Sequence, residues 1–221
     1  TSLDVDVFPG AAAAEGTAAR PVHVVGPRDG RAARLVRELG LKPRYSAQAP
    51  GDGTILVDDM EAYARSRKEI DRAVRAGAVL VFLEMPVGTW KAGGNELHVA
   101  PGGMGKRDFV SRATGHRLVE GFAVNDFRFW YDDAAGHVTP ILETVIDPEP
   151  EGWSRLLMSG KGSWKRPWGA TPAAIPKACG QGEIRVCQVK LTDRTAANPV
   201  SEQFARRLLQ TPADGTGEGT G

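Results

Sequence analysis

Glu84 is the residue whose type and setting come nearest to chemistry. It follows the unbroken apolar run Ala78-Val-Leu-Val-Phe-Leu83 and stands directly before Met85-Pro86. In open α/β sheets the end of a central strand is where a nucleophile is often presented on a sharp turn. Here that turn holds neither Gly-x-Ser-x-Gly nor a cysteine, and both cysteines, Cys179 and Cys187, lie about a hundred residues downstream. No His-x-Glu follows late in the chain to serve as base and orienter. The position therefore offers a carboxylate in place of a nucleophile. Such a group can act as acid or base, with Asp126 or the Asp58-Asp59 pair as its partner. It can equally cap a helix or pair with a basic side chain, because structural ion pairs perturb carboxyl groups as active sites do.

Other chemistries are less well served. The four histidines, His23, His98, His116 and His137, lack ligand spacing, and there is no Cys-x-x-Cys, so no metal site is expected. Asp58-Asp59 can take a hard cation but reads more simply as a solvated strand end. Gly26-Pro-Arg-Asp-Gly30 occupies the place of a phosphate loop yet lacks Gly-x-Gly-x-x-Gly and a Walker Lys-Ser/Thr, so no cofactor is expected. Of five tryptophans, Trp90, Trp164 and Trp168 lie in segments rich in Gly and Lys. Together with Lys91 and Lys161 they are candidates to meet a sugar, since aromatic faces stack on C–H surfaces. Trp130 and Trp153 are expected to close the core beneath loops.

These residues must be positioned by alternating strands and helices. His23-Val-Val-Gly26 reads as a strand, Asp29 as the cap of a helix with Ala32, Leu35, Val36 and Leu39 on one face, and Thr54–Asp58 as the next strand. Ser66-Arg-Lys-Glu69 reads as a capping box ahead of Ile70, Ala73 and Val74, with Gly77 as the stop. Ala78–Leu83 then reads as a strand buried on both faces. The pattern predicts a doubly wound, mostly parallel α/β sheet with right-handed crossovers. Val87 to Lys106, with six glycines, reads as a long loop at the carboxyl end of that central strand, where such sheets bind ligands. Thr139 to Ile146 and Ser154 to Met158 read as further strands. Ala173–Cys179 and Glu183–Leu191 form a hairpin around Gly180-Gln181-Gly182. In that hairpin Cys187 faces position 175 rather than Cys179, so buried free thiols are expected rather than a disulfide. Asn198-Pro199 opens a last helix carrying Val200, Phe204 and Leu208.

The chain has 221 residues, 41% of them hydrophobic, with 28 Lys+Arg against 27 Asp+Glu. That is enough to build a core, and the net charge of +1 argues against nucleic acid or an acidic lipid surface as partner. The longest apolar run falls far short of the about 18 residues that span a membrane. Thr1–Pro9 alternates as a strand and Gly10–Arg20 reads as a linker. The strand belongs either to a preceding β domain or to an edge of this one. The domain proper is expected at 21–210, with 211–221 as a flexible tail. With two cysteines and no leader in the sequence, both cytoplasm and periplasm are compatible.

The order of these landmarks resembles the glutamine-amidotransferase-like, flavodoxin-like accessory domain at the C-terminus of glycoside hydrolase family 2 enzymes, of the β-galactosidase type. The resemblance rests on three blocks: Ala78–Leu83 with its glycine segment, Gly115-His-Arg-Leu-Val-Glu-Gly-Phe…Asp126-Phe-Arg-Phe-Trp-Tyr131, and Gly180-Gln-Gly-Glu-Ile-Arg-Val-Cys-Gln-Val-Lys-Leu191 followed by Asn198-Pro…Ala205-Arg-Arg-Leu-Leu209. It implies a parent enzyme that hydrolyses β-glycosidic bonds with two carboxylates on an upstream (β/α)8 barrel. None of the family's catalytic motifs matches a position in this chain. The implied role is accessory: bracing upstream domains of the same polypeptide, forming a homo-oligomer, or lending Val87–Lys106 or Lys161–Gly169 to the carbohydrate cleft. The alternatives are a free-standing hydrolase using Glu84 and Asp126, and a carbohydrate-binding module.

Overall fold

The run at 78–83 becomes β4 (Val79–Leu83), with every side chain buried, and the rest of the molecule is layered against its two faces. The structure is a computed structural model that describes residues 21–45, 53–103, 105–163 and 166–211. The expected strand at Thr1–Pro9, the linker after it, Trp164 and the tail beyond 211 lie outside the described residues. Before β4 come β1 (Val22–Val25), α1 (Arg31–Glu38), β2 (Pro43–Arg44), β3 (Thr54–Val57) and α2 (Met60–Arg75). After it come β5 (Gly88–Ala92), β6 (Asn95–Pro101), β7 (Ser111–Arg112), β8 (Tyr131–Asp132), β9 (His137–Val138) and β10 (Thr144–Ile146). The chain continues through β11 (Leu157–Ser163), β12 (Arg166–Cys179), β13 (Gly182–Cys187) and α3 (Pro199–Leu209).

An eight-stranded sheet runs in the order β2-β1-β3-β4-β13-β12-β11-β7. Its first five strands are parallel, and from β13 onward each neighbour is antiparallel. Period-two alternation decides which residue faces which layer. Leu56, Val79, Val81 and Leu83 pack with Leu35 and Val36 of α1 and Phe204 and Leu208 of α3. Ile55, Val57, Leu80 and Phe82 pack on the other face with Tyr63, Ile70 and Val74 of α2. The expectation of a mixed α/β sheet, mostly parallel and with helices on both sides, agrees with this arrangement.

Several local expectations need correction. The glycine-rich stretch 87–106 is not one long loop: β5 and β6 form a hairpin turning at Gly93-Gly94, and β10 joins them in a three-stranded antiparallel sheet. Leu97 and Val99 point inward from it, while Glu96 and His98 point out. Helix α2 starts at Met60 rather than after Ser66, because the Asp59 side chain accepts the Ala62 N–H at 2.9 Å. Helix α1 starts after Gly30, and its cap comes from the neighbouring strand end: Asp58 accepts the Ala32 N–H at 2.9 Å. The expected strand at 139–146 is confined to Thr144–Ile146, and that at 154–158 begins at Leu157 and runs to Ser163. The β12–β13 hairpin turns over two residues, so Cys187 faces Ala174, one residue from the expected 175. Both cysteines are free, Cys187 buried and Cys179 half-buried.

Gly182 begins β13 where only glycine fits, since a β-carbon there would lie 2.1 Å from the Ala78 carbonyl oxygen and 2.2 Å from that of Val74. Three residues on, Arg185 is fully buried in the middle of the sheet, on the α3 face. Its Nη1 donates to the carbonyls of Leu208 and Gln210 at 2.6 Å, and its Nε to Glu183 at 3.0 Å. Arg117 reaches the same Glu183 oxygen at 2.6 Å. Thr54 at the start of β3 donates to the Leu209 carbonyl at 2.6 Å. The last turn of a helix leaves carbonyls without intrahelical donors and carries partial negative charge, so a cation and a hydroxyl from the sheet answer both needs. Burial pulls the Arg185 guanidinium down to about 10, against the charge and hydrogen bond of Glu183, and it stays protonated at neutral pH. Arg185→Met leaves Glu183 short of one cation and these carbonyls short of donors, and is expected to lower stability by about 3 kcal/mol. Denaturant unfolding checks this; a loss below about 1 kcal/mol would mean the pair is as dispensable as a surface contact.

Candidate functional site

A cleft of about 560 Å³ opens at the carboxyl ends of the parallel strands. Pro27 follows β1, Asp58 and Asp59 follow β3, Glu84, Met85 and Pro86 follow β4, and Gln188 and Lys190 follow β13. Arg31 of α1, Met60 and Glu61 of α2, Trp90 of β5, and Glu143 and Thr144 at β10 complete the wall. This is where open α/β sheets bind ligands, because the strand order reverses between β1 and β3 and leaves a crevice there.

Glu84 sits at the elbow. Its φ is 45°, in the left-handed region that a non-glycine residue enters at a cost on the order of 1 kcal/mol. Hydrogen bonds hold it there. The Glu84 N–H donates to the Cys187 carbonyl at 2.8 Å. Gln188, itself buried, grips the next residue: its Oε1 accepts the Met85 N–H at 2.8 Å and its Nε2 donates to the Met85 carbonyl at 2.9 Å. The same Nε2 donates to the Thr144 hydroxyl at 2.6 Å. Both main-chain groups of Met85 are thus satisfied by one amide side chain, and the turn cannot relax without losing them. Strained residues that persist under such constraint concentrate at functional sites.

The Glu84 side chain is 15% exposed, and its nearest cation is Arg31, at 3.5 Å. Burial raises its carboxyl above the ordinary glutamate range, against the opposing pull of Arg31, Lys190 and Arg194, while Glu143 adds to the rise. Glu143 behaves in the opposite way. Hydrogen bonds from Lys190 and Lys106, whose Nζ atoms lie 2.6 and 3.1 Å from its Oε1, hold its carboxyl below the usual range. Two carboxyl groups across one cleft are therefore pushed apart in acidity. Asp58 is raised by burial despite the Ala32 hydrogen bond.

The residues singled out from sequence are distributed unevenly. Glu84, Asp58, Asp59 and Trp90 line the cleft. Asp58 and Asp59 also cap α1 and α2. Asp126 lies outside it: its carboxylate accepts the Ala123 N–H at 2.6 Å in an exposed turn. Lys91 is exposed on β5, and Lys161 on β11 is held by Asp147 at 2.6 Å. Trp168, on β12, is 76% exposed, its ring lying across Gly162 of β11, where a β-carbon would be 2.4 Å from Cε3. Trp130 and Trp153 are buried, as expected. The sequence reading missed Arg31, Glu143, Thr144, Gln188 and Lys190. Gln188 and Lys190 carried a usable signal, since they directly follow β13 at the same sheet edge as Glu84. Among the described residues, no group of three or more His, Cys, Asp or Glu side chains could hold a metal ion.

The raised Glu84 carboxyl has a thermodynamic consequence. A group whose pKa is raised in the folded state stabilises the fold below its unfolded value and loses that contribution as pH rises through the folded value. Glu84→Gln is therefore expected to narrow the decline in melting temperature between the ordinary glutamate range and neutrality, leaving the variant at least as stable as the parent at pH 7. Melting temperatures of both proteins over that interval check the sign; a variant less stable at pH 7 would mean that the Arg31 pairing outweighs burial.

Neither a protein-family model nor a curated protein sequence matches the chain. Solved structures similar to it include cytoplasmic protein STM3548 from Salmonella typhimurium, with a TM-score of 0.52 and 10% identity over 86% of this chain and 98% of that one. An exo-β-1,4-mannosidase from Opitutaceae bacterium strain TAV5 is similar at a TM-score of 0.49 and 12% identity, over 89% of this chain and 37% of the mannosidase. A cold-adapted β-galactosidase from Rahnella sp. R3 gives 0.46 and 12%, over 86% of this chain and 32% of the enzyme. The chain thus spans about a third of the length of each glycosidase. At 10% identity, the likeness to the Salmonella protein is one of fold.

Proposed function

We propose that the chain is a non-catalytic, glutamine-amidotransferase-like accessory domain serving a glycoside hydrolase. The observation that carries this reading is the elbow: a carboxylate clamped in left-handed backbone stands where the fold would present a nucleophile. A carboxyl group facing Arg31 and carrying no thiol or hydroxyl cannot perform amidotransferase chemistry. The parallel order β2-β1-β3-β4-β13, with helices on both faces, supports a doubly wound, flavodoxin-like frame. The blocks at 115–131 and 180–209 support the glycoside hydrolase association through their resemblance to that family's accessory domain. In this role the upstream domains of the same polypeptide, and a second copy, are the partners. Phe109 and Phe129, 50% and 60% exposed on adjacent segments, offer apolar contact surface. Trp168 and Lys161 on the β11–β12 hairpin, with Lys91 and Trp90 on β5, are the side chains that would reach toward a carbohydrate.

A second reading is favoured by one observation, the opposed acidities of Glu84 and Glu143, which are what an acid–base pair requires. In that case the chain would itself be a hydrolase, with Glu143 in place of Asp126.

Assay of the 221-residue chain on aryl β-mannosides, aryl β-galactosides and glutamine separates the two readings. No turnover is expected; turnover that disappears in Glu84→Gln would replace the accessory role with the hydrolase. The natural reading frame is expected to encode a (β/α)8 barrel upstream of Thr1, and an initiator Met immediately before Thr1 would overturn the accessory reading. Trp168→Ala is expected to change stability by less than about 0.5 kcal/mol, because its ring is exposed, while removing the fluorescence response to oligosaccharide at that hairpin. An unaltered response would take Trp168 out of the carbohydrate surface.

A further inference from the structure

We propose that the segment Ser2–Phe8 covers an apolar stripe on this domain, packing Leu3, Val5 and Val7 against Phe109, Phe129, Tyr131 and Val138. The inference holds whether or not the chain serves a glycoside hydrolase, because the segment precedes the domain in either case. Among the described residues seven large hydrophobic side chains are exposed, and five of them lie between 109 and 138. Two chain segments bring four of these together. Phe109 and Arg128 form an antiparallel pair, and the Phe129 N–H donates to the Asp108 carbonyl at 2.7 Å. Two residues on, Tyr131 pairs with Val138. Phe109, Phe129, Tyr131 and Val138 are 50%, 60%, 41% and 46% exposed, whereas their chain neighbours Val110 and Trp130 are buried. At about 200 Å² for a whole aromatic side chain, the four expose on the order of a few hundred Å², the size at which an apolar patch marks an interaction surface.

Pattern, reach and tethering choose the occupant. Ser2–Phe8 lies outside the described residues, and its alternation sets Leu3, Val5 and Val7 on one face against Asp4 and Asp6 on the other. A strand apolar on one face must bury that face against another element. Helix α3 measures the distance to be bridged. At one end, the Pro21 carbonyl accepts the Thr54 N–H at 3.2 Å, and the Thr54 hydroxyl donates to the Leu209 carbonyl at 2.6 Å. At the other end, Asn198 accepts the Tyr131 N–H at 2.9 Å and donates to the Tyr131 carbonyl at 2.8 Å. A helix of this length spans about 16 Å, so Pro21 stands about 25 Å from the stripe once the bonded groups at each end are added. The residues Gly10–Arg20 between segment and domain reach up to about 36 Å when extended, enough to span it. A second copy of the chain is the competing occupant. The tether decides between them, because a joined segment acts at an effective concentration on the order of 1 mM, which separate chains reach only in concentrated solution.

The test is NMR of the 221-residue chain labelled at its Leu and Val methyl groups. Nuclear Overhauser contacts are expected from the Leu3, Val5 and Val7 methyls to the rings of Phe109, Phe129 and Tyr131, and they are expected to persist on dilution. Val5→Asp puts a charge in the middle of the apolar face and is expected to abolish them, while the contacts within the domain's own core remain. Phe109→Ser combined with Phe129→Asn is expected to do the same from the other side, since Asn tolerates the left-handed backbone at 129. The proposal is overturned if the folded parent chain shows no such contacts, or if they survive in Val5→Asp. It is also overturned if they arise only between differently labelled copies in a mixed sample, which would make a second copy the occupant. None of these outcomes depends on glycoside turnover.

Discussion

The attachment of the last helix to the middle of the sheet through Arg185 is the constraint on which the rest of the structure depends. A guanidinium with no exposure to water must find acceptors within the protein, and here it finds the C-terminal carbonyls of α3 and the carboxylate of Glu183. Burying such a group unpaired would be prohibitive, so the helix end and the strand are fixed together or not at all. β13 is also the strand at which the sheet changes from parallel to antiparallel. Locking it fixes the placement of both halves.

From β13 the constraint passes to the cleft by covalent continuity. Gln188 follows the strand directly and holds both main-chain groups of Met85, while Cys187 accepts from the Glu84 N–H. The elbow on β4 is thus shaped by the neighbouring strand rather than by its own sequence. This explains how a glutamate rests at a φ of 45° and why its carboxyl meets the cleft. A chemically unusual residue is produced by ordinary means: a buried amide, a sheet register and an ion pair.

The parts of the fold legible in the sequence were those coded by local period. The run 78–83, the spacing of Leu35, Val36 and Leu39, and Asn198-Pro199 each state their structure within a few residues. The segment 87–106 was misread because its glycines outweighed the alternation Glu96-Leu97-His98-Val99, which marks a half-buried strand. Both helix starts were misplaced for another reason. Asp58 caps a helix 26 positions earlier in the chain, a contact no local pattern announces, and Asp59 opened α2 before the stronger-looking box at Ser66. At the site, Glu84 was legible because strand ends are where such sheets act. Its surroundings were not: Arg31, Glu143 and Lys190 come from three distant segments, and Asp126, nearer in sequence than Glu143, turns instead onto its own loop. Charged residues within β13 look like an exposed face on paper, whereas Glu183 and Arg185 are buried because α3 covers them.

The elbow presents a buried, poorly solvated carboxyl group opposite one held ionised by lysines. Carbon NMR of the glutamate side-chain carboxyls, followed as a function of pH in the intact chain, tests it most directly. Glu84 is expected to titrate above the ordinary glutamate range and Glu143 below it. Both groups titrating in the ordinary range, or in the reverse order, would contradict it.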